Sequence, residues 1–245
     1  MTPIPGLSNL AKGEFIICID DDCVPKEFFL IKHFESNKSI ITPSLFSGQE
    51  EISPLNKEPK NFYKFRKQDI FLADINKLKN KYEIIFQTRS MNFSFPSSFR
   101  NLLPDFNESF KGYGWEDPIF FKNCIDNGFQ IFQTDASIMH KLEETPKSFF
   151  KKQNFFGHWS YRAVYKLNLF EFKKWQLFII NFIYKFLFCL RPLLYIFYWI
   201  LSLINFLISY KIGIYNYYLQ KSTYYFSILI GISSSKDESE KYNYD

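Results

Sequence analysis

The chain of 245 residues is 47% hydrophobic and 22% charged, too apolar for a disordered polypeptide and long enough for one core-forming domain with an appendage. Its net charge of +5 accompanies a joint inflation of Phe, Ile, Lys, Asn and Tyr, the codon bias of an AT-rich genome, so no nucleic-acid partner is expected. Four scattered cysteines (Cys18, Cys23, Cys124, Cys189) without a C-x-x-C pair suit a reducing compartment with neither a disulfide framework nor a structural zinc, and residues 1–12 do not read as a secretory signal.

Residues 1–145 read as short strands alternating with helices, the pattern of an α/β layer fold. Phe15–Ile19 (FIICI) is an apolar run that stops at three aspartates, as a strand buried on both faces would. Pro25 is placed to open a helix through KEFFLIKHFES. Ile40–Leu45 and Glu83–Phe86 are further strand candidates, and the charged, proline-broken stretch 47–82 reads as a surface excursion. A helix is predicted over Asp117–Asn127, stopped by Gly128, followed by short strands at Phe129–Gln133 and Ala136–Met139.

From Pro146 the character changes. Pro146–Trp175 sets Lys147, Lys151, Lys152, Arg162, Lys166, Lys173 and Lys174 against Glu171, interleaved with aromatics, as a membrane-facing segment would. Two apolar runs follow, Gln176–Leu190 and the charge-free Pro192–Tyr210, whose 19 residues suit a membrane helix. Ile212–Ile230 is a third, more polar stretch. The expected organisation is an α/β domain at 1–145, a basic linker with membrane-associated helices at 146–232, and a disordered charged tail at 233–245.

The run Cys18-Ile19-Asp20-Asp21-Asp22 puts three carboxylates at a strand end, where ligands of open α/β sheets bind. Adjacent acids repel one another unless they share a cation, and their hard oxygens suit Mg²⁺ or Mn²⁺, which often arrive with a diphosphate. Along an extended segment Asp20 and Asp22 point to one side and Asp21 to the other. The plainer alternative is a strand-to-loop transition with solvated acids. The spacing D-x-D-x-V (Asp20, Asp22, Val24) resembles the nucleophile loop of haloacid-dehalogenase-type phosphatases. It also resembles the D-x-D motif of GT-A-type glycosyltransferases.

Further residues resemble the second class, in the order that family 2 glycosyltransferases carry them. Leu10-Ala11-Lys12-Gly13-Glu14-Phe15-Ile16 looks like the A-x-G-E-x-I lead-in, and Met91-Asn92-Phe93-Ser94-Phe95 resembles the acceptor-side strand N-x-S/N-x-A. Phe106-Asn107-Glu108-Ser109-Phe110 is similar to F-D-E-x-F, with Asn107 for the usual Asp, and Gly114-Trp115-Glu116-Asp117 to the G-W-x-E-D or G-E-D motif. Ala136-Ser137-Ile138-Met139-His140 resembles the strand that ends in a metal-side or diphosphate-side His. The later Lys and second acidic pair of a dehalogenase-type phosphatase are not evident.

The resemblance covers about residues 8–145. It implies a partial GT-A (Rossmann-like) mixed sheet; the hydrophobic helical segment that follows reads, from the charge-free run Pro192–Tyr210 behind a cluster of Lys, as bound to the cytoplasmic face of a cell membrane. The resemblance also implies inverting transfer of a sugar from a nucleotide-sugar donor to a hydroxyl of a glycan or lipid-linked acceptor, with Mn²⁺ or Mg²⁺. Asp117 would be the general base with Glu116 beside it; Asp20, Asp22 and His140 would hold the metal. Asp21, Asn92, Gly114, Trp115 and Glu108 would line the substrate site. Each has a plainer alternative: a helix cap for Asp117 ahead of Pro118, core packing for Trp115, a satisfied strand-end residue for His140, a loop tie for Glu108. His33 and His158 read as structural. The family's nucleotide-binding βαβ half normally precedes the D-x-D, whereas Asp22 arrives almost at once. The chain therefore reads as the acceptor-side and metal-side portion of such an enzyme, lacking that half, or as a non-catalytic membrane-anchored remnant.

Overall fold

The computed structural model describes residues 11–53, 60–69, 74–107, 114–141, 145–212 and 215–239, which divide into two units. The first unit (11–53, 74–107 and 116–141) is mixed α/β. Its sheet holds β1 (Phe15–Ile19), β2 (Cys23–Pro25), β3 (Ser44–Ser53), β4 (Asn92–Pro96) and β5 (Gln130–Lys141), in the order β1-β4-β3-β5-β2. All neighbours run antiparallel except the parallel pair β3–β5. The unit also holds α1 (Phe29–Asn37), α3 (Lys81–Gln87) and α4 (Glu116–Asp126), whereas α2 (Lys60–Asp69) belongs to the second unit. Its core is aromatic: Phe93 and Phe95 on β4 meet Phe120 and Phe121 on α4, with Leu45, Ile85 and Cys124 fully buried among them.

Several elements depart from the sequence expectation for identifiable reasons. β1 is a sheet edge whose single buried side chain is Ile16, not a strand buried on both faces. Pro25 does not open a helix, because it pairs with Ile138 in the other edge strand, a position where a missing N–H is tolerated. The helix waits for Phe28, whose backbone is left-handed (φ 62°). Glu83–Phe86 lies inside α3, not in a strand: Asn80 caps the helix by accepting from the Tyr82 N–H at 2.9 Å. A four-residue apolar run does not distinguish strand from helix by period, and here the cap decides. The two short strands around Thr134 are one twelve-residue strand, β5. The stretch 47–82 holds the end of β3 and α2 rather than a plain excursion.

The second unit (60–69, 114–115 and 145–239) is helical. Besides α2 it contains α5 (Pro146–Ser160), α6 (Lys174–Cys189), α7 (Arg191–Asn205) and α8 (Tyr217–Ser239), with π turns at Tyr161–Lys166 and Phe206–Lys211. A capping box starts α5, Thr145 Oγ1 accepting from the Ser148 N–H at 3.1 Å. Glycines let α5 and α8 cross closely: a Cβ on Gly157 would strike the Ile228 carbonyl, and one on Gly231 the Asn154 carbonyl. Phe62 and Phe65 of α2 join Phe149 and Phe150 of α5 in a buried aromatic cluster. Ser233–Ser239 continue α8 instead of beginning a disordered tail, and 240–245 lie outside the described residues.

Helices α6 and α7 leave apolar surface uncovered. Trp175, Phe178, Ile179, Phe182, Ile183 and Phe186 are all exposed and recur at the helical period, making one apolar stripe along α6. Among the described residues, one helix is long and apolar enough to cross a membrane: Arg191–Ile208, 18 residues of which 11% are buried.

Candidate functional site

A distortion in the β3–β5 pairing prepares the site. Ser47 stands opposite Gln133, but Gln49 already faces Ser137, so Gly48 opposes three residues, Thr134–Ala136, and β5 bulges. Asn92 at the start of β4 holds the bulge: its Nδ2 donates to Ala136 O at 2.9 Å and to Gln49 O at 3.2 Å. A Cβ on Gly48 would strike both Asn92 Nδ2 and the Ala136 carbonyl, so only glycine fits. His33 supports the clamp from α1, with Nε2 2.9 Å from Asn92 Oδ1 and Nδ1 2.8 Å from Ser94 Oγ. Asn92 spends its N–H groups on carbonyls, so its oxygen accepts and His33 Nε2 donates. His33 Nδ1 then accepts from Ser94, whose Oγ in turn accepts from Asn37 Nδ2 at 2.7 Å. Burial holds His33 below its ordinary pKa, consistent with this neutral tautomer, although the Asn92 bond opposes the shift. His33 is structural, as expected. Asn92 is 1% exposed with its amide committed inside the sheet, so its visible role is to position the bulge rather than to face a substrate.

Past the bulge, β5 runs from Ser137 to Lys141 between β3 and β2, and His140 lies directly opposite Cys23. The three aspartates do not continue an extended strand. They form a tight turn in which the Cys23 N–H returns to Asp20 O at 3.1 Å. The turn joins the two edge strands of the sheet, leaving Asp21 exposed at its tip and bringing Asp22 onto β5. His140 Nε2 lies 3.1 Å from Asp22 Oδ2, and its Nδ1 lies 2.7 Å from Glu50 Oε1. Asp22, Cys23 and His140 present donor atoms that all lie within 4.8 Å of one another. Of the expected ligands, Asp22 and His140 therefore meet directly. Asp20 is half-buried and electrostatically coupled to both, but outside that three-donor group.

The protonation equilibria carry the imprint of this crowding. Burial pushes the Asp20 carboxyl above its ordinary value, and the charges of Asp22 and Asp117 push the same way while His140 opposes. Burial would lower His140, but the Glu50 hydrogen bond and charge, with Asp22, outweigh it and raise the imidazole pKa. Burial, then the Asp22 carboxylate, push the Cys23 thiol up to about 12.

Asp117 belongs to the same electrostatic neighbourhood, since its charge acts on Asp20. It sits in the first turn of α4, beginning at Glu116, so it lies inside the helix rather than before it. Its Oδ2 accepts from the Ser90 N–H at 3.3 Å. Burial raises its pKa, against the Ser90 hydrogen bonds and the charge of Arg89. Glu116 is half-buried at the head of the same helix.

The remaining expected residues fall elsewhere. Trp115 lies in the second unit, 4% exposed, its indole stacked on Phe156 (centroids 4.8 Å apart) with Nε1 donating to Phe156 O at 2.8 Å. That ring serves packing and offers no open face to a sugar. Gly114 runs beside the same residue, where an added Cβ would sit 3.2 Å from Phe156 Cα. Glu108 lies outside the described residues. Two residues of the cluster escape sequence reading. Glu50 falls in the stretch that reads as surface excursion, and Cys23 is considered only for disulfide, C-x-x-C and structural-zinc chemistry, although it directly follows the aspartates. No protein-family model matches the chain, and no curated protein matches it.

Proposed function

We propose that the chain carries the metal-side and acceptor-side residues of a membrane-associated, inverting glycosyltransferase that moves a sugar from a nucleotide-sugar to a hydroxyl of a glycan or lipid-linked acceptor. The observation that carries this reading is the convergence of Asp20, Asp22, His140 and Asp117 at one end of the sheet of a mixed α/β unit. The donor set fits a divalent cation: two acidic side chains and an imidazole whose far nitrogen is already tied to Glu50, leaving Nε2 directed at Asp22. When bound, Mn²⁺ or Mg²⁺ neutralises charge building on a departing diphosphate.

The protein's own groups supply the rest. Asp117 takes the proton of the acceptor hydroxyl as that oxygen attacks the anomeric carbon, and Glu116 helps to orient the acceptor. Burial raises the Asp117 carboxyl, which makes its carboxylate a stronger base than a solvated one. Asp20 and Asp22, with His140, would hold the metal, whose charge would engage the diphosphate. No covalent intermediate is needed. The exposed apolar stripe of α6 and the uncovered α7 support attachment to the cytoplasmic face of a membrane, behind the lysine-rich segment 146–175.

Calorimetric titration with Mn²⁺ and a nucleoside diphosphate tests the reading. Asp22→Ala is expected to weaken binding by at least about tenfold and His140→Ala by less, while Asp21→Ala, at the exposed tip of the turn, stays near wild type. Equal binding by wild type and Asp22→Ala removes the cluster from the mechanism.

A further inference from the structure

We infer that Asp22, Cys23 and His140 form a three-donor centre for a thiolate-accepting divalent cation of the Zn²⁺ class. The inference rests on the proposed reading of this cluster as a metal site and changes its donor set: the sulfur of Cys23 takes the place assigned to Asp20. Three observations on separate elements carry it. First, Cys23 stands directly opposite His140 in the β2–β5 ladder, and side chains of such a pair lie on one face with their Cβ atoms about 5 Å apart. Second, the Cys23 Sγ lies 3.6 Å from Asp22 Oδ1 and His140 Nε2 lies 3.1 Å from Asp22 Oδ2, so the Asp22 carboxylate bridges the other two donors. Third, Glu50 arrives from β3 and engages His140 Nδ1 at 2.7 Å. A carboxylate on the far nitrogen of a histidine is the usual support of a metal-binding imidazole: it fixes the ring and turns Nε2 toward the ion.

The chemistry of the set selects the ion. One carboxylate, one thiolate and one neutral imidazole balance a dication, and sulfur with nitrogen favours Zn²⁺ over the oxygen-seeking Mg²⁺. Cys23 is 9% exposed and His140 likewise, so two of the three donors are shielded while Asp22 is open. Three protein ligands leave a fourth position of a tetrahedral ion available for water or a phosphate oxygen, the pattern of catalytic rather than structural zinc. Binding the dication replaces the proton on the Cys23 sulfur, which leaves to solvent, and forms one metal–sulfur bond with no change of oxidation state.

Cobalt(II) reports this directly, because a thiolate–cobalt bond gives a ligand-to-metal charge-transfer band in the near ultraviolet. The full chain in detergent, titrated with Co²⁺, is expected to develop that band, and added Zn²⁺ to abolish it by displacement. Cys23→Ser should lose the band, Cys189→Ser should keep it, and Glu50→Gln should weaken Co²⁺ affinity by about 10–100-fold. Absence of the band in wild type, or its survival in Cys23→Ser, overturns the inference. A parallel titration with Mn²⁺ and a nucleoside diphosphate separates this from the functional reading. Nucleotide-dependent Mn²⁺ binding without the cobalt band leaves the transferase reading standing and removes the thiolate centre. The band without nucleotide-dependent binding does the reverse.

Discussion

At the scale of single residues, Asp117 and His140 make the sharpest claims. Asp117→Asn keeps the volume and the oxygen that accepts from the Ser90 N–H. A purely structural role predicts little change in melting or turnover. A general base predicts an unchanged melting temperature with transfer reduced by about 10²–10⁴-fold. Transfer activity within a few-fold of wild type would pass the role to Glu116. His140 predicts a pH dependence of stability. Its folded pKa lies above the ordinary 6.5, so its contribution is complete below about pH 6.5 and is lost as pH rises through the raised value. His33 acts with the opposite sign: its folded pKa is depressed, so its contribution is present above the ordinary 6.5 and lost as pH falls through the depressed value. Thermal unfolding followed from about pH 5 to about pH 8 should therefore show stability falling on the alkaline side through His140 and on the acid side through His33. The raised carboxyls of Asp20 and Asp117 act in the same direction as His140. Glu50→Gln, which removes the charge that raises His140, should flatten the alkaline side and leave the acid side alone. An unchanged alkaline slope in that variant would remove Glu50 as the cause.

At the scale of elements, the bulge in β5 decides whether a site exists, because without it the register would advance evenly and Glu50 would not stand where it reaches His140. Gly48→Ala tests this: the added methyl meets Asn92 and the Ala136 carbonyl, so the clamp must open or the strand must slide. A loss of about 1–3 kcal/mol in stability is expected, together with weakened metal binding although no donor atom has been touched. Full metal affinity in a folded Gly48→Ala protein would show that the bulge is dispensable. The same elements show what the sequence made legible. The strand at Phe15–Ile19, the aspartates after it and the helix over Asp117 could be read from apolar runs and charged punctuation, whereas His140 beside Asp22 is expected only from the family resemblance. The bulge could not, because it is specified by one glycine and one buried amide forty-four residues from its partner, a distance at which local pattern carries no signal. Nor could the extended reading of Asp20–Asp22 survive, since a turn closed by a backbone hydrogen bond leaves no mark in the period of side chains. Trp115 shows the complementary error, for an aromatic before two acids looks like a binding platform until the residue that stacks on it, Phe156, is known.

At the scale of the whole molecule, the second unit poses a solvent question. Soluble proteins rarely leave a contiguous apolar surface of this extent, and here it lies on two consecutive helices: the exposed stripe of α6 and the uncovered length of α7. Hydrogen bonds also join the helices of this unit to one another. Asn154 Nδ2 donates to Ser227 O at 3.2 Å, and Tyr184 OH donates to Ser160 Oγ at 2.9 Å. Small residues and interhelical hydrogen bonds with apolar side chains turned outward are what a bundle adopts when its surroundings are lipid rather than water. In a bilayer, Lys173 and Lys174 at the head of α6 would meet anionic headgroups, each contributing about 1 kcal/mol. The prediction is that the full chain sediments with membranes and stays there through high-salt and alkaline washing. Salt screens headgroup attraction but leaves apolar burial intact, so survival of both washes points to insertion. Replacing Ile196 and Ile200, both exposed on α7, by Asp would cost about 6 kcal/mol at the centre of a bilayer and should move the chain toward the soluble fraction. Lys173 and Lys174 changed to Gln should instead only lower the salt at which a peripheral fraction is released. If the wild-type chain stays soluble after a high-salt wash, the apolar faces of α6 and α7 are covered by protein instead, and the lysines lose their proposed partner.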